Sequence, residues 1–115
     1  MEDIRLKTAP LEFAGKTWQL RCNMNVLADV QAAVGGDFSR AMNQNSTFRG
    51  ALEFLAAMLN DYADEQGWPE RYTSRELGRV IGWEEYSRLS ETVMDLVYSS
   101  LSSAEPSEEE TEPKN

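Results

Sequence analysis

Paired carboxylates are the side chains of this chain whose types and spacing could perform acid–base chemistry. The pairs and groups are Asp61, Asp64 and Glu65, then Glu84 and Glu85, and finally Glu91 and Asp95. Neighbouring acids can hydrolyse glycosides or phosphates when burial raises the pKa of one of them. The surrounding periodicity predicts that all of them face solvent. We therefore expect a solvated acidic surface rather than a catalytic pair.

The residues that most other enzyme chemistries need are absent. The sequence contains no histidine, and Cys22 is its single cysteine. A catalytic triad, a Cys–His dyad, a zinc cluster and an intrachain disulfide are thereby excluded within this chain. No Asp-x-Asp-x-Asp-Gly spacing suggests a calcium loop. We expect a protein that is not an enzyme and has no catalytic residue, cofactor or metal, with Cys22 as a small core residue.

Four aromatic residues escape the apolar periodicity. Trp68, Tyr72 and Trp83 occur where predicted helices meet, and Tyr98 lies on the polar side of the last predicted helix. Aromatic residues at such junctions commonly fill the ends of a small core. They also dominate the energetics of protein interfaces. Both interpretations stay open, and we predict that the partner-binding residues are among these four.

The elements that position these side chains begin with short segments of alternating apolar and polar residues. Residues 11–13 and 17–22 alternate in this way, which predicts two strands joined by a turn at Ala14-Gly15-Lys16. Residues 4–7 alternate as well, and Pro10 separates them as a third, edge strand. A sheet this small is marginal alone and must pack on helices.

A helical pattern replaces the alternation after residue 22. Asn23 can cap a first helix, and Gly35-Gly36 can end it through a positive φ angle. The predicted apolar face of this helix consists of Leu27, Val30 and Val34. A short helical turn around residues 38–42 comes next.

The helix that begins at Thr47 has the widest apolar arc of the chain. Its stripe consists of Phe48, Ala51, Leu52, Leu55, Leu59 and Tyr62, with Phe54 and Met58 beside it. Such an arc covers more than half of the circumference, which indicates a central helix contacted on two sides. Gly67 and Pro69 are expected to end it.

Two further helices complete the pattern. Thr73 and Glu76 form a capping-box sequence before a short helix that should end at Gly82. Its inward residues are predicted to be Leu77, Val80 and Ile81. The last helix, about 84–101, should bury Tyr86, Leu89, Val93, Leu96 and Val97. This pair is similar to a helix-turn-helix, but Glu84 and Glu85 would face DNA phosphates, so we expect a plain helical hairpin.

Charge and composition delimit one domain and a tail. The 115 residues carry a net charge of −9, which argues against nucleic acid as a partner, and no apolar run is long enough for a membrane span. The residues at the start lack a signal-peptide pattern. Residues 102–115 hold five Glu and no large apolar side chain, which predicts a disordered acidic tail.

The predicted fold class is α+β, mostly α. A small N-terminal β-hairpin or three-stranded meander packs on a compact bundle of four to five helices. Residues 1–101 form the single globular domain, with the β element at about 3–22 and the helical part at about 23–101.

The order of several short motifs resembles that of one protein family. The segments are 11–21 (LEFAGKTWQLR), 23–30 (NMNVLADV), Gly35-Gly36 and 72–82 (YTSRELGRVIG). Together they are similar to the tail assembly chaperones of long-tailed bacteriophages and prophages. Members of that family open with a small β element, continue through an Asn-x-Asn-x-Leu-like helix start and end as a compact helical domain.

The resemblance implies a non-enzymatic role in the cytoplasm of the bacterial host. Such a chaperone binds the tape-measure protein, keeps it soluble while the tail tube assembles, and is absent from the mature virion. Tail tube protein is a further implied partner, and a homo-oligomer stays open. The alternative is an acidic protein-interaction module, such as a phage-encoded inhibitor or a DNA mimic. A tail tube gene upstream and a long tape-measure gene downstream would favour the chaperone.

Overall fold

The computed structural model describes residues 6–43 and 47–104. Within these ranges a β-hairpin is followed by helices, which confirms the predicted α+β, mostly α class. In chain order the elements are β1 (Ala9–Phe13), β2 (Lys16–Leu20), α1 (Met24–Val34), α2 (Phe38–Asn43), α3 (Phe48–Gln66), α4 (Ser74–Val80) and α5 (Trp83–Ala104). Most of the predicted acidic tail, 105–115, lies outside the described residues.

The hairpin forms where the alternation predicts it. Strands β1 and β2 pair in antiparallel register, with Leu11 opposite Trp18. Ala14 and Gly15 make the turn with φ angles of 53° and 76°, and positive values at both positions suit a tight hairpin whose strands twist normally. Trp18 and Leu20 are fully buried on the same face of β2. This face attaches the hairpin to the helices.

The third strand predicted at residues 4–7 is only partly described. Residues 6–8 form no strand, and the sheet within the described residues has two strands. Ile4 lies outside those residues. The described part of the chain therefore has the predicted hairpin and not the three-stranded meander.

Asn23 caps α1 as predicted. Its side-chain oxygen accepts a hydrogen bond from the Val26 amide at 3.0 Å, and its Nδ2 donates to Asp61 of α3 at 2.7 Å. Gly35 ends the helix in the left-handed conformation, with φ at 68°. The cap thus also joins the start of α1 to α3.

The buried face of α1 differs from the predicted one. Val26 and Val30 are fully buried, whereas Leu27 and Val34 are only half-buried. Val26 lies in the first turn, which the capping residue holds against α3. Its position four residues before Val30 therefore centres the contact face on this pair.

Helix α3 is the central helix, as its apolar arc predicts. Thr47 caps it by accepting a hydrogen bond from the Gly50 amide at 2.9 Å, and Gly67 ends it with a φ of 77°. Every residue from 54 to 59 is buried. The helix contacts β2, α1, α4 and α5. Burial on several sides at once explains why its middle carries so few polar residues.

Helices α4 and α5 follow the predicted pattern with shifted ends. The Thr73 and Glu76 capping box is present, and Leu77 is fully buried. Helix α4 ends because Ile81 adopts extended backbone, so Gly82 is not its stop. The buried residues of α5 are Leu89, Val93, Leu96 and Val97, and Tyr86 is half-buried. Helix α5 continues to Ala104, beyond the predicted domain end at residue 101.

Two residues that were predicted to face the core are exposed instead. Phe48 is 64% exposed, and Val80 is 65% exposed. Phe48 lies in the first turn of α3, beyond the elements that cover the middle of the helix. Val80 is the last residue of the short α4, where the chain turns away. Helix periodicity alone does not reveal that these ends extend past their neighbours.

Cys22 is buried at the end of the hairpin, as expected of a small core residue. Burial is the main cause that raises the pKa of its thiol, from an ordinary 9.0 to about 11, and a hydrogen bond with Ser100 partly opposes it. The thiol is therefore protonated and unreactive at neutral pH.

We expect Leu55→Ala to lower the free energy of unfolding by about 2–5 kcal/mol, because it opens a cavity beside a fully packed helix. Leu55 is 2% exposed on the central helix. Chemical denaturation measures the change, and Met24→Ala, at a residue that is 74% exposed, is the control. A loss below about 1 kcal/mol at Leu55 would contradict the central position of α3.

Stability should fall as the pH rises from 9.0 to about 11. The folded chain holds the Cys22 proton more tightly than the unfolded chain, so this contribution is complete below 9.0 and is lost through the folded-state pKa. The loss should be at most about 3 kcal/mol, because one pKa unit corresponds to about 1.4 kcal/mol. Denaturation across this range checks it, with Cys22→Ala as the control. An equally steep decline in that variant would assign the effect to other groups.

Candidate protein-binding surface

The structure separates the four aromatic residues predicted to bind a partner into two kinds. Trp68 and Tyr72 are half-buried and pack against other rings inside the fold. Trp83 and Tyr98 are 70% and 52% exposed. They lie fifteen residues apart on α5, which corresponds to about 22 Å along the helix axis. A single compact site therefore does not include all four.

The inner aromatic cluster, defined here as Phe13, Trp18, Tyr62, Trp68 and Tyr72, fixes the hairpin to the helices. Its centre is Trp18, whose ring centroid lies 5.0 Å from that of Trp68 and 6.0 Å from that of Tyr72. Edge-to-face packing of this kind stabilises cores beyond the burial of area. The Trp18 Nε1 donates to the Phe13 carbonyl at 2.8 Å. The cluster has the features of a structural contact.

Polar contacts surround the edge of the inner aromatic cluster. Lys16 forms an ion pair with Glu70, and its Nζ also lies 4.3 Å from the centre of the Trp68 ring. The hydrogen bond from Lys16 is the main cause that lowers the pKa of Glu70. Asn60 binds the backbone of Tyr72 twice, at 2.7 and 2.8 Å. These bonds hold the segment that leads into α4.

Several of the carboxylates considered above for acid–base chemistry have structural partners. Asp61 accepts hydrogen bonds from Asn23 at 2.7 Å and from Arg21 at 3.4 Å. Its side chain is only 10% exposed, so the prediction that it faces solvent is wrong. The other ion pairs of this group are Arg21 with Glu65, Arg71 with Asp64 and Lys7 with Asp95. These contacts connect the hairpin side and the loops to the helices.

A second set of rings lies on the outside, where α3 and α5 begin. We call Phe48, Trp83 and Tyr86 the aromatic patch. The centroid of Phe48 lies 5.3 Å from that of Tyr86 and 6.1 Å from that of Trp83, while Trp83 stacks on Tyr86 at 6.0 Å and 28°. The rings support one another, although Phe48 and Trp83 are largely exposed. The patch is thus an ordered apolar surface.

Two shallow grooves lie along α4, and one of them is lined by the aromatic patch. One groove, of about 260 Å³, is lined by Phe48, Leu52, Gly78, Ile81, Gly82, Trp83 and Tyr86. The other, of about 430 Å³, is lined by Phe13, Ala14, Arg71, Tyr72, Glu76, Leu77 and Val80. No atom lies within 4 Å of the position that a Cβ would take at Gly82, so space is open there. Apolar side chains of a partner can enter both grooves.

Sequence reasoning found Trp83 but missed Phe48 and Val80 as surface residues. Both were assigned to the core because they continue an apolar stripe. The available signal was their place at helix ends: Phe48 follows the cap Thr47, and Val80 lies just before Ile81 and Gly82. A ring at the first position of a helix extends beyond the turn that its neighbours cover.

Comparisons with known proteins found no match to the chain among protein-family models, curated proteins or solved structures. In the described part of the chain, no group of three or more Cys, Asp and Glu residues is placed to hold a metal ion. None of the helices in residues 6–43 and 47–104 is both long and apolar enough to span a membrane.

Truncation of the inner tryptophan should destabilise the fold much more than truncation of the outer one. Trp68→Ala removes contacts with Trp18, Tyr62 and Lys16, so we expect a loss of about 2–4 kcal/mol. Trp83→Ala acts at an exposed ring and should cost less than about 1 kcal/mol. Denaturation of both variants measures the difference. Similar losses at the two positions would show that the aromatic patch is part of the core.

Proposed function

We propose that the chain is a non-enzymatic tail assembly chaperone that binds a tape-measure protein and keeps it soluble during tail tube assembly. The observation that carries this proposal is the aromatic patch, a group of rings in mutual contact that is largely exposed and lines a shallow groove. Exposed apolar surfaces of this kind in small domains commonly serve interactions. The chaperone role itself is taken from the resemblance between the order of motifs in this sequence and that of the tail assembly chaperones.

The shape of the surface suits a protein client better than a small molecule. Small-molecule sites are enclosed and surround most of their ligand. The grooves beside α4 are shallow and open, and the rings of the aromatic patch line one of them. A holding protein has to cover apolar segments of a long client and later release them. Shallow contacts with large rings provide area without enclosing the client.

The remainder of the fold keeps this surface rigid. The aromatic patch is built on the first turns of α3 and α5, and both helices have fully buried residues further along. The half-buried Tyr86 contacts the rings of both Phe48 and Trp83. Because the rings are held in place before binding, little side-chain entropy is lost when the client arrives. In this proposal the chain acts in the host cytoplasm and is absent from the finished virion.

Coexpression with a fragment of the tape-measure protein tests the proposal. We expect the fragment to copurify with the chain, and Trp83→Ala to weaken the measured affinity by more than about 1 kcal/mol, or about fivefold, because central rings dominate interfaces. Tyr98→Ala is the matched control, since it removes an exposed ring from the other end of α5.

Three results would contradict the proposal in different ways. A soluble fragment that never copurifies with the unaltered chain would remove the chaperone role. Loss of binding in Tyr98→Ala, with normal binding in Trp83→Ala, would move the surface to the opposite end of α5. Capture of a folded host enzyme or DNA-binding protein instead of the fragment would favour the acidic inhibitor or DNA mimic.

A further inference from the structure

The arginines near the aromatic patch lack carboxylate partners. In the described residues the bases with ion pairs are Lys7, Lys16, Arg21 and Arg71. Those without one in the same residues are Arg40, Arg49, Arg75, Arg79 and Arg88. The whole chain has 20 acidic and 11 basic residues, so unpaired arginines are unexpected in it. The positions of these arginines can therefore indicate where an acidic partner binds.

Three of these arginines lie on α3 and α4, the helices beside the aromatic patch. The groove at the patch has no arginine in its lining, and Arg75 lines a separate groove together with Asp29 and Glu53. Arg75, Gly78 and Arg79 are spaced as i, i+3 and i+4 on α4, which puts them on one flank of that helix. Gly78 lines the groove that contains Phe48 and Trp83. Arg49 adjoins Phe48 in the sequence, and its Nη1 donates to the Ser74 hydroxyl, next to Arg75, at 3.0 Å.

The acids closest to these arginines on α3 and α4 are engaged elsewhere. Glu53 accepts a hydrogen bond from the Ser74 hydroxyl at 2.8 Å. Glu76 accepts one from the Thr73 amide at 2.9 Å, which closes the capping box. Neither carboxylate forms an ion pair within the described residues. Arg75 and Arg79 form no ion pair within the described residues, and Asp29 of α1 is a further acid that lines a groove with Arg75.

The acids at the start of α5 lie on other faces of that helix than Trp83 and Tyr86. Successive residues of a helix are turned by about 100°, so Glu84 and Glu85 lie about 100° and 200° from Trp83. Tyr86, three residues after Trp83, returns to the same face. The rings of the patch therefore have arginines on the α4 side, while the two glutamates lie on the other faces of α5.

We propose that the aromatic patch binds an amphipathic helix with carboxylates along one flank of its apolar face. The apolar residues of this helix enter the groove between Phe48 and Trp83, and its carboxylates pair with Arg75 and Arg79, since guanidinium groups bind carboxylates in a bidentate manner. The proposal rests on the proposed function, because it describes the client segment that a chaperone of this kind would hold.

Two synthetic helical peptides test this preference. They share one face of Leu and Phe, and they carry either Glu or Lys along the same flank. The net charge of −9 would by itself attract the Lys peptide. At physiological salt we expect the Glu peptide to bind about tenfold tighter in fluorescence anisotropy, because local ion pairs then outweigh the screened overall field. Equal binding, or a preference for the Lys peptide, would overturn the inference.

Charge reversal locates the contact. Arg75→Glu/Arg79→Glu should remove the preference for the Glu peptide or invert it. Arg40→Glu/Arg88→Glu changes the net charge by the same amount at two exposed arginines, one on α2 and one turned by about 200° around α5 from Tyr86, and it should keep the preference. If both double variants lose it equally, the effect comes from overall charge and the inference fails. Circular dichroism of each variant confirms that it is folded.

The coexpressed tape-measure fragment separates this inference from the proposed function. If Trp83→Ala abolishes copurification and Arg75→Glu/Arg79→Glu does not change it, the chaperone role stands and the acidic client segment is refuted. If the Glu peptide binds as expected and the fragment never copurifies, the patch has the stated specificity and the chaperone role fails. A dimer that becomes monomeric in Trp83→Ala would identify a second copy as the occupant and overturn the inference.

Discussion

The middle of α3 has no solvent-facing side, because residues 54–59 are all buried. A helix in this state is stable only when neighbouring elements cover it in several directions. The hairpin supplies one cover through Trp18 and Leu20, and α1 supplies another through Val26 and Val30. Helices α4 and α5 complete it. The positions of β2, α1, α4 and α5 follow from this requirement, and so does the exposure of the helix ends that they do not cover.

Local signals were sufficient to predict most of the fold. The caps at Asn23, Thr47 and Thr73 and the left-handed Gly35 and Gly67 mark helix ends through single hydrogen bonds or one φ angle, so the sequence reveals them directly. The breadth of the apolar arc on α3 indicated its central position. These features depend on neighbours in the chain rather than on contacts between distant segments.

The errors occur where tertiary contacts decide. Phe48 and Val80 continue apolar stripes, but no element within residues 6–43 and 47–104 extends far enough to cover them. Asp61 sits in a polar stretch and is nevertheless almost buried, because Arg21 and Asn23 of the hairpin side reach it across the fold. Periodicity describes one helix at a time and carries no information on where the next element ends.

The same limit applies to the candidate site. Trp68 and Trp83 are alike in sequence, since each directly follows a glycine near the end of a helix. The structure distinguishes them: the Trp68 ring packs against Trp18 of the hairpin, and the ring contacts of Trp83 within the described residues are with Phe48 and Tyr86. Which aromatic residue stabilises the fold and which is left for a partner is therefore a property of the packing around α3.

Amide hydrogen exchange of the chain, alone and with the tape-measure fragment, tests the central claim most directly. The amides of Gly82, Trp83 and Glu84 precede Tyr86, whose N–H donates to the Gly82 carbonyl at 2.8 Å, so they have no intrahelical acceptor in α5 and should exchange rapidly in the free chain. We expect the fragment to slow exchange there and at the start of α3. Unchanged exchange at these amides, with new protection at the end of α5, would contradict the account.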